Sequence, residues 1–197
     1  MAHKPIDRAW LACLAELARQ AGSGGIIADV GCGPGQVAAH LAEIGARATG
    51  IDLSPGMVEV ARKRYPDLAF EVGSLLALPV ADGAWAGAVC AYSIIHLEPH
   101  ERPAAFGELA RAIAPGGWLL LSFHISGEGH RPGETAHVGQ WWGHDVDLDF
   151  HYLSPQTIAE ELRAAGFEVM AITERRPWPG VEAETDRCHL LAQRSPS

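Results

Sequence analysis

Between Ile26 and Ala38 the chain runs through a short apolar stretch, Ile26 to Val30, into glycines at every second position, Gly31, Gly33 and Gly35, and then into a helix-like segment. Few arrangements accommodate such a run except a strand that turns sharply into a helix. The glycines remove Cβ atoms that would hold a ligand off the backbone, and they permit positive φ. Pro34 presets φ for a first helical turn, so the following helix offers free N–H groups and its positive dipole end to whatever lies in the turn. A dinucleotide fingerprint G-x-G-x-x-G is not met strictly. Counted from Gly31 its last position is Gln36, and counted from Gly33 it is Ala38, which only the relaxed form admits.

Two acids decide between the ligands such a turn can hold. Asp29 stands two residues before the first glycine, and Gly50-Ile51-Asp52-Leu53 follows about twenty residues after the turn. With these the chain, from about Ile26 onward, resembles the class I S-adenosylmethionine (SAM) dependent methyltransferases. In that family D-x-G-x-G-x-G closes the first strand and an acid closes the second. The resemblance implies an α/β fold, a doubly wound seven-stranded mostly parallel sheet of Rossmann-like type whose last strand is antiparallel. It also implies SAM as cofactor and S-adenosylhomocysteine as product, with Asp29, Gly31, Cys32, Gly33, Gly35, Asp52, Leu53, Met57, Ser74, Leu75 and Ala91 around it. It says almost nothing about the acceptor.

A chain of 197 residues, 48% hydrophobic and 20% charged, fits one domain, residues 1–197, with one sizeable core. No apolar run approaches a membrane span, and Met1 to Asp7 lacks the apolar region of a signal peptide. We therefore expect a cytoplasmic protein, monomer or homodimer. A net charge of −9 argues against nucleic acid as partner. Cys13, Cys32, Cys90 and Cys188 form no C-x-x-C pair, so neither a zinc knuckle nor a redox dithiol is indicated, and Cys32 is read as packing.

In chain order, Ile6 to Ala21 carries apolar residues at helical spacing and stops at the glycines of 22–25. Family members usually have an N-terminal segment folding over the cofactor, and here the lid must be short or come from elsewhere. Strand one is Ile26 to Val30, a helix covers Gly35 to Gly45, and strand two is Arg47 to Leu53. Asp52 is expected to accept from both ribose hydroxyls, since a carboxylate matches a vicinal diol. Leu53 is placed on the adenine face. Ser54-Pro55 caps a helix whose Met57 either touches adenine or packs. Leu68 to Val72 is strand three. Ser74 then stands where family members most often carry an acid that accepts from the adenine amino group, while Leu75 retains its backbone N–H.

Strand four, Ala84 to Tyr92, brings Tyr92 and His96 to a carboxyl end, where open sheets bind ligands. His96 is either a general base or a brace for its loop. A helix from Pro99 to Ala114 leads through the signature Glu108, Arg111, Pro115-Gly116-Gly117 to strand five, Trp118 to Phe123. Segment 124–153 is read as a substrate cap, with Trp141 and Trp142 as a flat apolar wall and Val146, Leu148, Phe150 and Tyr152 as one face of a strand. His151 joins His96 and Tyr92 as a catalytic candidate. The histidines at 124, 130, 137, 144 and 151 do not have metal-ligand spacing, and no metal is expected. Ser154-Pro155 caps a helix to Ala165, strands six (Phe167 to Thr173) and seven (Asp186 to Gln193) close the fold, and Arg175 and Arg176 are read as a solvated loop or as partners of a substrate carboxylate.

The expectation is methyl transfer from SAM to an O, N or C centre of a small molecule. A repurposed SAM-binding protein and a nicotinamide oxidoreductase are the alternatives.

Overall fold

Proline or serine starts four of the helices of the computed structural model, which describes residues 4–21, 25–127, 129–141 and 144–196. Helix α1 (Pro5–Gln20) and α4 (Arg102–Ala112) have proline in their first turns. Ser54 and Ser154 accept N–H bonds from Met57 and Thr157 at the starts of α3 (Pro55–Arg64) and α5 (Pro155–Ala164). Helix α2 (Gln36–Glu43) begins instead at Gly35, left-handed with φ 83°.

Strands β1 (Ile26–Val30), β2 (Arg47–Asp52), β3 (Ala69–Val72), β4 (Trp85–Ala91) and β5 (Ile113–Gly127) pair in parallel, while β9 (Thr185–Arg194) runs antiparallel between β5 and β8 (Phe167–Arg175). The seven-stranded order is β3-β2-β1-β4-β5-β9-β8, the strands running outward from the junction of β1 and β4, as β1, β2 and β3 to one side and as β4, β5, β9 and β8 to the other. Strand β4 is buried along nearly its whole length, as a parallel strand covered on both faces must be. One core layer gathers Phe106, Leu109, Phe123, Ile158 and Leu162 under α4 and α5; another gathers Leu11, Leu14, Leu41 and Leu120 under α1 and α2.

Two expectations are corrected. Strand five starts at Ile113 and extends to Gly127, absorbing both the Pro115-Gly116-Gly117 turn as a bulge opposite β4 and the first residues assigned to the cap. The remainder of the cap is a two-stranded hairpin, β6 (Thr135–Trp141) against β7 (His144–His151). Only β7 shows the alternation that marks a strand in sequence. Thr135 to Trp141 contains Gly139 and one β-branched aliphatic residue, Val138, and becomes a strand through its backbone ladder.

Candidate active site

The glycine turn is built differently from the way its sequence suggests. A Cβ at Gly31 would lie 2.3 Å from the Ser93 Cβ, and one at Gly35 would lie 2.7 Å from the Phe70 ring. Those two glycines make room for protein; Gly31 and Gly33 both line the cleft, and Gly33, φ +51°, has open space beside it. The Gly33 N–H donates to Asp52 Oδ2 at 2.7 Å, and the Ser54 N–H donates to Asp52 Oδ1 at 2.8 Å. Asp52 is thereby fixed at the carboxyl end of β2, each oxygen keeping a second lone pair for a ligand.

Asp29 lies behind this turn. It is 1% exposed, accepts the Ala38 N–H of α2 through Oδ2 at 3.0 Å, and leaves Oδ1 without a protein partner. Burial, with Asp52 nearby, raises its pKa to about 7. Cys32 is buried beside it, and burial pushes its thiol upward, which suits packing and not reactivity.

From Asp52 a cleft of about 700 Å³ runs between Leu53, Met57 and Leu75 at one end and Tyr92, His96 and Leu148 at the other. Leu53 and Met57 are exposed, apolar and free to lie on a planar ligand. The Ser74 hydroxyl accepts the Leu76 N–H at 3.1 Å, closing its own turn at the cleft wall.

At the other end Tyr92 is, among the described residues, the single non-glycine with positive φ, at 60°, a conformation that costs of order 1–3 kcal/mol and collects at functional sites. Its ring stands 4.8 Å from that of His124 and 5.7 Å from the Lys4 ammonium. The phenol hydroxyl is buried without a partner, and burial, then Asp7, raises its pKa. The hydroxyl stays protonated. His96 Nδ1 lies 3.1 Å from the Asp149 carbonyl, so Nδ1 carries the proton and Nε2 keeps its lone pair. Although the residue is solvent-exposed, the protein packed around the ring, with Phe150 edge-on at 4.6 Å, holds its pKa below the ordinary value.

His151 is not brought to the cleft. It ends β7, bonded through Nδ1 to the Thr135 hydroxyl at 2.8 Å with Nε2 3.6 Å from Glu98, in a separate hollow between the hairpin and the starts of α4 and α5. Trp142 lies outside the described residues, as does the side chain of Trp141. Among the described residues no three metal-ligating side chains converge.

Sequence reasoning missed the polar cluster under α1. Arg175 donates to Asp7 at 2.9 Å, to Glu182 at 2.7 and 3.0 Å and, through Nε, to His189 Nε2 at 3.1 Å. Arg187 lies 3.6 Å from the same Glu182. His189 Nδ1 is 2.9 Å from the Ser122 hydroxyl. Burial lowers the pKa of both His189 and His124 to about 4, while the two arginines help to hold Glu182 at about 2 against the cost of its own burial. The single local signal was Asp7, an acid four residues before Leu11 on the buried stripe of α1.

Comparisons agree with this architecture. A family described as "Methyltransferase domain" matches residues 27–117. An O-methyltransferase of Pyrenophora dematioidea is 32% identical over 157 residues, 76% of this chain and 57% of that protein. A demethylmenaquinone methyltransferase of Chlorobaculum parvum is 35% identical over 120 residues, 59% of this chain and 49% of that protein. The chain spans about half the length of the curated relatives it matches. A solved SAM-dependent methyltransferase of Methanosarcina mazei superposes with a TM-score of 0.78 over 89% of this chain and 94% of its own, at 18% identity, a likeness of fold alone. With the Asp29-x-Gly31-x-Gly33-x-Gly35 turn, the Asp52 terminus of β2 and the strand order in place, the chain belongs to the class I SAM-dependent methyltransferases.

Proposed function

We propose that the protein transfers a methyl group from SAM to a small molecule. The observation that carries the reading is Asp52, whose two oxygens are fixed by the N–H groups of Gly33 and Ser54 at the waist of a cleft with an apolar end and a polar end. In this reading Asp52 accepts from the ribose hydroxyls, Leu53 and Met57 lie on the adenine faces, and Ser74 with the Leu75 N–H meets the adenine edge. The backbone of Gly31, Gly33 and Ala91 meets the amino-acid end. Bound there, SAM supplies an activated methyl group on a sulfonium, so the chain's own work is to align the acceptor, exclude water and receive a proton where one is released.

His96, neutral with its Nε2 lone pair free, is the group able to receive that proton. Tyr92, protonated and buried, contributes its ring and its backbone. The hairpin of β6 and β7 serves as the cap, Leu148 reaching the cleft from β7. No helix among the described residues is long and apolar enough to cross a membrane, and the net charge of −9 suits a cytoplasmic enzyme that avoids nucleic acid.

Calorimetry with SAM, S-adenosylhomocysteine and NAD tests the cofactor. Asp52→Ala is expected to weaken SAM by about 2 kcal/mol or more while the fold survives, as loss of a charged acceptor does. Unchanged affinity, or preference for NAD, overturns the reading. Labelled SAM with a panel of acceptors then separates an enzyme from a protein that binds SAM without transferring the methyl group.

A further inference from the structure

In the reading above the cofactor takes most of the cleft. Its adenine lies on Leu53 and Met57 and its ribose on Asp52. Its amino-acid end lies on Gly31, Gly33 and Ala91, beyond which a chamber of about 170 Å³ lined by Gln36, Val37 and Ala91 opens under α1. The wall left over for an acceptor is made by Leu76, His96, Leu97, Glu101 and Leu148. From what this wall offers we propose that the methyl acceptor is a primary amine on an apolar body, methylated on nitrogen. The proposal rests on the SAM reading for its donor and for where the methyl group faces, and on these five residues for the acceptor.

The polar side chains of the wall are both hydrogen-bond acceptors. His96 Nδ1 carries the proton that meets the Asp149 carbonyl at 3.1 Å, so Nε2 presents a lone pair. Burial holds the ring's pKa below the ordinary value, which keeps it neutral at neutral pH. Glu101 stands at the cap of α4 and is half-buried. Its Oε2 takes the Glu98 N–H at 3.0 Å, and Oε1 is left for a ligand. Ser93, beside them, donates its hydroxyl proton to the Val30 carbonyl at 3.0 Å, and the Tyr92 hydroxyl is buried out of reach. Among the described residues no Lys or Arg lines the cleft, whose charged side chains are the carboxylates of Asp52 and Glu101.

Two acceptors without a donor select among nucleophiles. A primary amine has two N–H groups, one for His96 Nε2 and one for the Glu101 carboxylate, and keeps its lone pair for the methyl carbon. A phenol or alcohol has a single proton to give, and its developing anion would face Glu101 with no cation to offset it. A carboxylate has no proton at all and would meet a like charge and a lone pair. Charge decides in the same direction. As the nitrogen attacks, positive charge passes from sulfur to nitrogen, where Glu101 is placed to stabilise it. The amine lone pair forms the N–CH₃ bond, the C–S bond pair returns to the sulfonium sulfur to give a neutral thioether, and the methylated ammonium passes one proton to His96 Nε2 and from there to solvent. The product is a neutral secondary amine, its apolar body covered by Leu76, Leu97 and Leu148.

The test uses benzylamine, 2-phenylethylamine and aniline, with benzyl alcohol, phenol and benzoate as controls of similar shape. On protein saturated with S-adenosylhomocysteine, calorimetry is expected to show at least one amine binding about tenfold or more tightly than its oxygen counterpart, since a charged hydrogen bond separates them. With labelled SAM the label should enter a product that moves into organic solvent from alkali and back into acid, the mark of an amine. Glu101→Gln, whose amide oxygen can keep the Glu98 N–H, should raise the KM of that amine about tenfold with SAM affinity unchanged. Label in a control and in none of the amines overturns the proposal, as does amine affinity no better than that of the oxygen counterparts. So does an amine KM that Glu101→Gln leaves unchanged. If SAM and S-adenosylhomocysteine do not bind while the amines do, and Glu101→Gln weakens the amines, the SAM reading falls and the amine site stands.

Discussion

The two ends of the sheet's carboxyl edge hold their polar groups by opposite means. At the β1–β2 end the bonds are short in sequence and made by backbone: Gly33 to Asp52 spans 19 residues and Ala38 to Asp29 spans 9. At the β5–β9 end they are long and made by side chains: Arg175 reaches Asp7 across 168 residues and Ser122 meets His189 across 67. The first end is a folded-in property of one strand–turn–helix unit. The second comes into being once α1, β5, β8 and β9 have assembled, so it locks the assembly while it shapes a chamber.

That contrast is broken most severely at Arg175. Its side chain is 7% exposed and bridges Asp7 and Glu182, whose side chains are 10% and 0% exposed. Arg175→Met leaves two buried carboxylates with less compensation, and a loss of about 3–5 kcal/mol is expected, read as a lower midpoint in urea. A change under 1 kcal/mol would mean that Arg187 and Lys4 suffice to hold the cluster.

Acid and base separate the two ends next. Asp29 in the fold has a pKa of about 7, above its unfolded value. Its contribution is fully present below about pH 4 and is lost as pH rises through 7. His189 and His124 are lowered to about 4, so theirs is present above about pH 6.5 and is lost as pH falls toward 4. The β1 end therefore weakens on the alkaline side and the β9 end on the acid side. Asp29→Asn should stabilise the protein relative to wild type by up to about 4 kcal/mol at pH 8 and by far less at pH 4. A difference independent of pH would remove Asp29 as its source.

Gly31→Ala tests the backbone end directly. The new methyl meets the Ser93 Cβ at 2.3 Å with φ at +75°, and a cost of about 2–3 kcal/mol is expected. Ser93→Gly should restore part of it and Ser93→Ala none, because the clash is with the Cβ. Equal rescue by both would place the strain elsewhere.

What could be read in the sequence follows the same division. The strand–turn–helix at Ile26 to Ala38, the acid closing β2 and the serine caps at Ser54 and Ser154 are local patterns with local physics, and the fold around them was legible. The use of the glycines was not, since a bare sequence does not show that Ser93 and Phe70 fill the vacated space. Nor was the Arg175 cluster, whose members are scattered over the whole chain without period, nor β6, whose pairing needs no apolar alternation. His151 alternates correctly with Phe150, and that same alternation carries it to the face of the hairpin away from the cleft.

The mildest change sharpens the comparison most, because it exchanges a side chain where backbone is said to do the holding. Ser74 accepts the Leu76 N–H through its hydroxyl, a turn that an aspartate carboxylate closes equally well. Ser74→Asp should therefore leave the loop and the stability within about 0.5 kcal/mol. At the cleft it replaces a neutral acceptor with a charged one beside the expected adenine edge, where charged hydrogen bonds exceed neutral ones by about 1 kcal/mol. SAM should bind about equally well or up to about fivefold more tightly, measured by calorimetry. A clear loss of affinity would show that the adenine edge does not meet residue 74. If that loss came with lower stability, the Leu76 turn would depend on its hydroxyl, and side chains would matter at this end of the sheet as they do at the other.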